Sequence, residues 1–580
     1  MIKASADIKK LPRKFIPEDF IVTNWESIEP FFQNLVTRDI NSKAALEQWL
    51  KDSSELEAVL SEDACWRQIK MTCDTENKSL EEAFVFFVTQ LQPRIQPYAD
   101  KLNRKLIESP FTKELDQQRY FTYLRSVKKN IDLFREENIP LQSDLSVLQQ
   151  QFGVISGKMT IEVEGKEYTL QQAAKFLESH DRQLRESVYK KINERRLQDK
   201  EGLNDLYSQL VQKRHQVALN AGFQNYRDYK FAELGRFDYT KEDCYQFHDA
   251  VKKHVLPLVD KIQQAKKKKL GLANLRPWDL DAEPEGTEPL RPFKGAGELL
   301  EKSIACFEKV RPFFAECLRT MNTMHRFDLE SRKGKAPGGY NCPLAETGAP
   351  FIFMNAAGQM SDVTTMVHEG GHAVHSFLAH PLELSAFKEY PMEIAEVASM
   401  AMELFSMEYW DVFFPDNEEL TRARGQQLER VITIFPWIAT IDKFQHWVYE
   451  NPAHTTAERS AKWMEILKEF STESIDFTGL DEYRTYAWQR QLHLFEVPFY
   501  YIEYGIAQLG AIGLWMQYKQ DKEAALDNYM RSLSLGGTTT LPKLYEAAGL
   551  KFNFSGDNIR ELMKFVGGEM KESETQKIPT

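Results

Sequence analysis

The chain has 580 residues, 42% of them hydrophobic and 28% charged, with a formal charge of −12 and a pI near 5.7. That length exceeds one compact core, so two or more lobes are expected, and the acidic balance excludes nucleic acid as the main partner. No apolar run reaches the roughly 18 residues of a membrane span, and the six cysteines include no C-x-x-C pair that would hold a metal through thiolates.

The start, from Met1 to Lys14, lacks the apolar stretch of a signal peptide, and scattered cysteines suit a reducing compartment, so the cytoplasm is the expected location. After an entry punctuated by Pro12 and Pro17, residues from about Trp25 to Gln151 repeat apolar positions at helical spacing, as in Ala44 to Leu60 and Leu80 to Leu91. They make an N-terminal helical lobe, residues 1–155, ahead of a second region, 156–580, that completes both lobes. Two period-two segments around Glu164-Gly165 predict a small hairpin near that boundary.

Helical patterning resumes from Leu170 to about His215 and from about Lys241 to Leu270, where Lys266 to Lys269 read as a solvated helix end. Four prolines between Asn274 and Lys294 predict a surface loop, and one helix is expected from Gly297 to about Met324. Pro350 to Asn355, short, apolar and aromatic, predicts a strand. It is either an edge that could pair with an extended peptide or part of a small sheet capping the core. Beyond Pro391 the pattern is helical almost throughout to about Gly567, and Lys571 to Thr580 read as a frayed tail.

The chemistry concentrates in His368-Glu369-Gly370-Gly371-His372. Residues four apart share a helix face, so His368 and His372 can offer ring nitrogens to one metal ion. Glu369 sits one step round, displaced from a ligand position but close enough to serve as general base toward a metal-activated water. Each glycine costs a helix interior about 1 kcal/mol, so Gly370-Gly371 suggest that another backbone comes close there. Asp362 lies in the expected first turn, where a carboxylate favours the helix dipole, and Pro381 marks the end.

A catalytic zinc takes three protein ligands and keeps one position open. The helix expected from Pro391 carries Glu393, Glu396 and Glu403 among small and apolar residues. Spacing favours Glu396 as the third ligand, with Glu393 and Glu403 as partners that orient imidazoles.

His368-Glu369-Gly370-Gly371-His372 followed by Glu393-Ile394-Ala395-Glu396-Val397-Ala398-Ser399 resembles the paired signature of the oligoendopeptidase F branch of the thimet-oligopeptidase-like zinc peptidases. Gly338-Gly339-Tyr340, Pro350 to Asn355 and Phe495 to Tyr504 resemble the same branch, and the likeness runs from about residue 110 onward. It implies a mainly α, two-lobed helical metallopeptidase with a deep substrate channel and a small β-sheet near the zinc site. It also implies one zinc ion per chain, held by His368, His372 and Glu396, and short peptides as substrates.

Seen alone, the aromatic run after His493 reads more as core than as chemistry. The resemblance gives it a role, since the family has a histidine and tyrosines there facing the zinc. Tyr504 matches the transition-state tyrosine, Tyr501 lies one turn earlier, and His493 is the upstream histidine. His375 and His380 are expected to pack or face substrate. Two other readings stand beside the endopeptidase. One is a metallocarboxypeptidase or dipeptidyl-type peptidase, with Arg484 or Arg490 clamping a terminal carboxylate. The other is a non-catalytic peptide-binding protein in which zinc is only a staple.

Overall fold

A computed structural model describes residues 6, 8, 10 and 12–575; Met1 to Ser5 and 576–580, on which part of the reading of the ends rested, lie outside the described residues. The architecture is mainly helical with two small sheets. Among the described residues no helix is long and apolar enough to cross a membrane.

Two large apolar cores, with two small clusters beside them, organise the described residues. One runs from Ile16 to Val127 and is completed by Leu384 and Phe387 from far along the chain. The larger gathers Ala6 and residues from Leu145 to Val566. At its centre lies the helix Met392–Met407, in which every residue from Glu393 onward is buried. A helix with apolar residues all round is stable only when surrounded on every side. Here the neighbours include the helices Met360–Ala379 and Tyr501–Gln520.

The hairpin forms as expected, β1 (Thr160–Val163) against β2 (Lys166–Thr169), with Glu164 and Gly165 both at positive φ as a two-residue turn requires. The second sheet joins β3 (Phe327–Glu330), β4 (Tyr340–Cys342) and β5 (Phe351–Ala356) in the order β3-β5-β4. The strand foreseen at Pro350 to Asn355 is therefore the middle one, parallel to β3 and antiparallel to β4. Its burial on nearly every residue fits a central strand. The edge is β4.

Other boundaries also moved. The helix expected over 297–324 is two, Ala296–Val310 and Pro312–Thr323, because a proline in a helix interior removes a backbone donor and clashes with the preceding turn. Pro391 caps the Met392–Met407 helix instead of occupying its first turn. Residues 571–575, read as tail, continue the last helix, Gly556–Thr575.

Candidate active site

The H-E-x-x-H motif lies in the middle of the Met360–Ala379 helix, and its start is firmly fixed. Asp362 Oδ2 accepts the backbone N–H groups of Ala357, Gly358 and Gln359, each at 2.8 Å, which ties the turn leading into the helix to its first turn. Gly371 does what its cost implied. A Cβ there would fall 2.6 Å from Ser399 Cα and 2.7 Å from Ala398 O, so only glycine lets the two helices approach this closely. Gly370 instead makes room for the Phe307 ring.

That approach brings His368, His372 and Glu396 together. Glu396 Oε2 lies 3.3 Å from His368 Nε2 and Oε1 lies 3.6 Å from His372 Nε2. One donor atom from each residue falls within 4.8 Å of the others. Tetrahedral zinc with bonds of about 2.0–2.2 Å sets its ligands roughly 3.3–3.6 Å apart, so the donor set fits the ion.

The supporting contacts are equally specific. Glu403 Oε1 lies 2.7 Å from His368 Nδ1, while Gln427 donates to Glu403 Oε2 at 2.8 Å and accepts from Thr364. Glu403 thus orients an imidazole as expected. Glu393 does not. It accepts from Tyr239 at 2.7 Å, and no imidazole hydrogen-bonds it among the described residues.

Burial alone would lower the pKa of His368, but the hydrogen bonds and charges of Glu396 and Glu403 outweigh it and hold the imidazole well above its usual value. Burial pulls His372 down to about 4. Glu396 goes to about 2, since the two imidazoles and Tyr500 outweigh its burial.

Glu369 is also buried, which pushes its carboxyl up to about 7, and its Oε2 has no hydrogen-bond partner among the described residues. β4 runs beside it. Asn341 donates to the Glu369 backbone carbonyl at 3.3 Å, and Gly339 lies against the Glu369 carboxylate. The sheet edge beside the site is therefore β4.

The late aromatic segment closes the other side. Phe499 holds φ at +67°, a strained backbone for a non-glycine residue costing about 1–3 kcal/mol. Gln445 accepts its N–H at 2.6 Å and Arg236 donates to its carbonyl. The turn so fixed starts the Tyr501–Gln520 helix with Tyr500 Oη on Glu396 Oε1 at 2.5 Å. His493 Nε2 and Tyr504 Oη lie 3.0 Å apart, and the Tyr501 ring stands edge-on to His493 at 4.9 Å between centroids.

Hydrogen-bond logic then sets the protons. An indole N–H only donates, so Trp437, 2.9 Å from Gln491, faces the amide oxygen. The Gln491 amide nitrogen consequently donates to His493 Nδ1 at 2.7 Å, leaving the ring proton on Nε2. Nε2 donates to Tyr504 Oη, and the Tyr504 hydroxyl proton is free to point elsewhere. Burial holds that phenol well above its usual pKa, with Glu396 and Glu369 adding to the effect.

Sequence reasoning missed Tyr500, Gln491 and Gln427. Tyr500 was within reach, because Tyr500 and Tyr504 share a helix face by the same i, i+4 rule applied to the histidines. His375 stacks on Tyr390 with centroids 3.5 Å apart, a packing role, and His380 lies against Gly348.

Fold and donor set together define a class: helical proteins in which an H-E-x-x-H helix takes its third metal donor from a glutamate on a neighbouring helix. The chain belongs to peptidase family M3, whose sequence profile matches residues 175–564, with the M3 N-terminal domain matching 15–134. It is similar to PZ peptidase A, a structure solved with an inhibitor, at 26% identity and a TM-score of 0.91, covering 96% of this chain and 99% of that one. It is 23% identical to an oligoendopeptidase F homolog of Borreliella burgdorferi over 63% of this chain and 61% of that protein. Against the oligopeptidase PepF of Bacillus subtilis the identity is 24%, over 67% of this chain and 59% of that protein. The matched stretch thus spans about three fifths of these two curated relatives.

Proposed function

We propose that this chain is a zinc-dependent endopeptidase that hydrolyses internal peptide bonds of short oligopeptides. The observation that carries this reading is the convergence of His368, His372 and Glu396 beside a buried carboxylate, Glu369, with an unpartnered oxygen. A purely structural site has no use for such a base. In this reading His368, His372 and Glu396 hold one zinc ion, which when bound lowers the pKa of water and polarises the scissile carbonyl.

Glu369 takes the proton of the attacking water and passes it to the leaving amine. Tyr504 turns its free O–H toward the carbonyl oxygen as negative charge builds there, an interaction worth about 3–4 kcal/mol of barrier. His493 fixes that orientation by donating to Tyr504 Oη, and Tyr501 walls the histidine. Tyr500 orients Glu396. The peptide lies extended along β4, held through its main chain, which tolerates varied sequence. The lobe of residues 1–155 and the catalytic region 156–580 enclose the channel that limits substrates to short peptides, and the cytoplasm is the compartment assigned. An apolar core of its own for residues 16–127, completed by Leu384 and Phe387, and six unpaired cysteines support those two points.

The test is digestion of a mixed peptide pool and of one internally quenched peptide, free or amidated at its carboxyl end, with cut sites mapped by mass spectrometry. Cuts at internal bonds that persist in the amidated peptide, and vanish with a chelator, are expected. Release confined to residues at a free carboxyl terminus, or no hydrolysis by the zinc-loaded protein, would overturn the reading.

A further inference from the structure

The arginines of the helix Arg182–Gln198 fall into two groups. Arg182 and Arg185 each pair with Asp279 at 2.8 Å, Arg195 pairs with Asp199, and nearby Arg276 pairs with Asp476 at 3.2 Å. Arg196 pairs with nothing of that kind. The charged or ionisable groups acting on it are a second arginine, Arg490, and the phenol of Tyr189. Arg490 in turn faces Tyr189 and Tyr501, and its guanidinium stacks on Trp437, 4.7 Å from the ring centroid. Among the described residues no carboxylate pairs with either.

The two guanidinium groups line one cavity of about 90 Å³, well above the roughly 15 Å³ that a single water needs. Asn193, Tyr483 and Tyr486 share its walls with apolar side chains. Partial burial pushes Arg196 down to about 10, which leaves it charged at neutral pH, while Arg490 stays exposed to solvent.

The cavity adjoins the active site along two paths. Pro337, three residues ahead of β4, is part of its lining. On the other side, the Trp437 ring beneath Arg490 is the one whose N–H sets Gln491 and, through it, His493.

We propose that Arg196 and Arg490 form a subsite for a carboxylate of the bound peptide, supplied by its terminal carboxylate or by an acidic side chain a fixed distance from the cut bond. Planar guanidinium groups bind carboxylates through paired N–H donors, and an incoming anion relieves the repulsion between the two cations. The proposal rests on the peptidase reading for its substrate, but not for its chemistry. A binding group outside the reacting atoms acts mainly on KM.

The experiment compares one internally quenched peptide with a free or amidated carboxyl end, and a set with Asp or Asn at successive positions, on wild-type protein and on Arg196→Gln, Arg490→Gln and the corresponding Lys variants. Binding of the same peptides to zinc-loaded Glu369→Gln protein, with and without the arginine substitutions, is followed by fluorescence polarisation. Removing the critical carboxylate should lower kcat/KM about 10–100-fold in wild type, mostly through KM and without moving the cut. In either Gln variant the ratio between carboxylate and neutral peptide should shrink toward one, and the Lys variants should restore part of it. Loss on amidation assigns the terminal carboxylate, and loss at one Asp position assigns a side chain. Equal ratios in wild type and both Gln variants, in hydrolysis and in binding, would overturn the subsite. Carboxylate-dependent binding without hydrolysis by wild-type protein would uphold the subsite and overturn the peptidase.

Discussion

Two clusters in this chain place histidines and carboxylates on facing helices, and they are built to opposite ends. In the first, His368 and His372 meet Glu396 at 3.3 and 3.6 Å, and both imidazoles retain about 15% exposure. In the second, Cys244 and His248 of the helix Lys241–Ala250 meet Asp442 and His446 of the long helix Asn417–Glu450. One donor atom each from Cys244, Asp442 and His446 also lies within 4.8 Å of the others. Yet all four residues are sealed, and His248 Nε2 touches Asp442 Oδ2 at 2.8 Å, a direct hydrogen bond with no space between. The donors stand equally far apart in both, 3.3 Å between His446 Nε2 and Asp442 Oδ2, so what separates a candidate metal centre from a sealed cluster is that one side stays open. The sealed cluster works as a buried hydrogen-bonded network around the Asp442 carboxylate that joins two helices.

The largest effects separate the two. Glu369→Gln should lower turnover about 10⁴-fold while the protein still carries one zinc per chain, measured by peptide hydrolysis and by metal analysis. A wild-type rate in that variant would defeat the role given to Glu369. Asp442→Ala should do the reverse. Removing one partner of a buried pair costs about 3–5 kcal/mol, read by urea unfolding, and zinc should stay at one per chain. Two zinc ions in wild type, falling to one in Asp442→Ala, would erase the distinction between the clusters.

The same contrast explains what could be read from the sequence. The first cluster was legible because its helix carries two costly glycines and its partner helix carries glutamates among apolar residues, and both features demand an explanation. The second was invisible. Cys244 and His446 are some two hundred positions apart in ordinary helical patterning, and no local rule links them. Hydrogen-bond direction was equally hidden. That Gln491 sets the His493 proton depends on Trp437 arriving from another helix. The strand beside the site went unread because β4 is only three residues long and begins in a glycine-rich stretch that reads as loop. Pro312 was available as a helix breaker and went unused.

Glu403→Ala gives a smaller test, confined to the first cluster. Without the carboxylate, the His368 ring loses its orienting partner, and zinc affinity should weaken about 10–100-fold by competition with a chelator. Unfolding of the apo protein should change far less than in Asp442→Ala. If affinity holds, the ring is positioned by packing alone.

The smallest effect is a slope with pH. Burial lowers the pKa of His446 despite the attraction of Asp442, and Asp442 is held well below the usual carboxylate range because His446 and His248 outweigh its burial. Both groups are depressed in the native state. The unfolded chain therefore binds protons that the native protein refuses, and stability is lost as pH falls. The histidine contributes from about pH 6.5 downward, and the aspartate only below about pH 4. One proton gives at most about 1.4 kcal/mol per pH unit. Urea unfolding of wild type at pH 7.5, 6 and 5 should show stability declining through this window, and His446→Gln should flatten the decline. Parallel slopes in the two proteins would mean that His446 already carries its proton in the native cluster, as a group in an open, solvated site could.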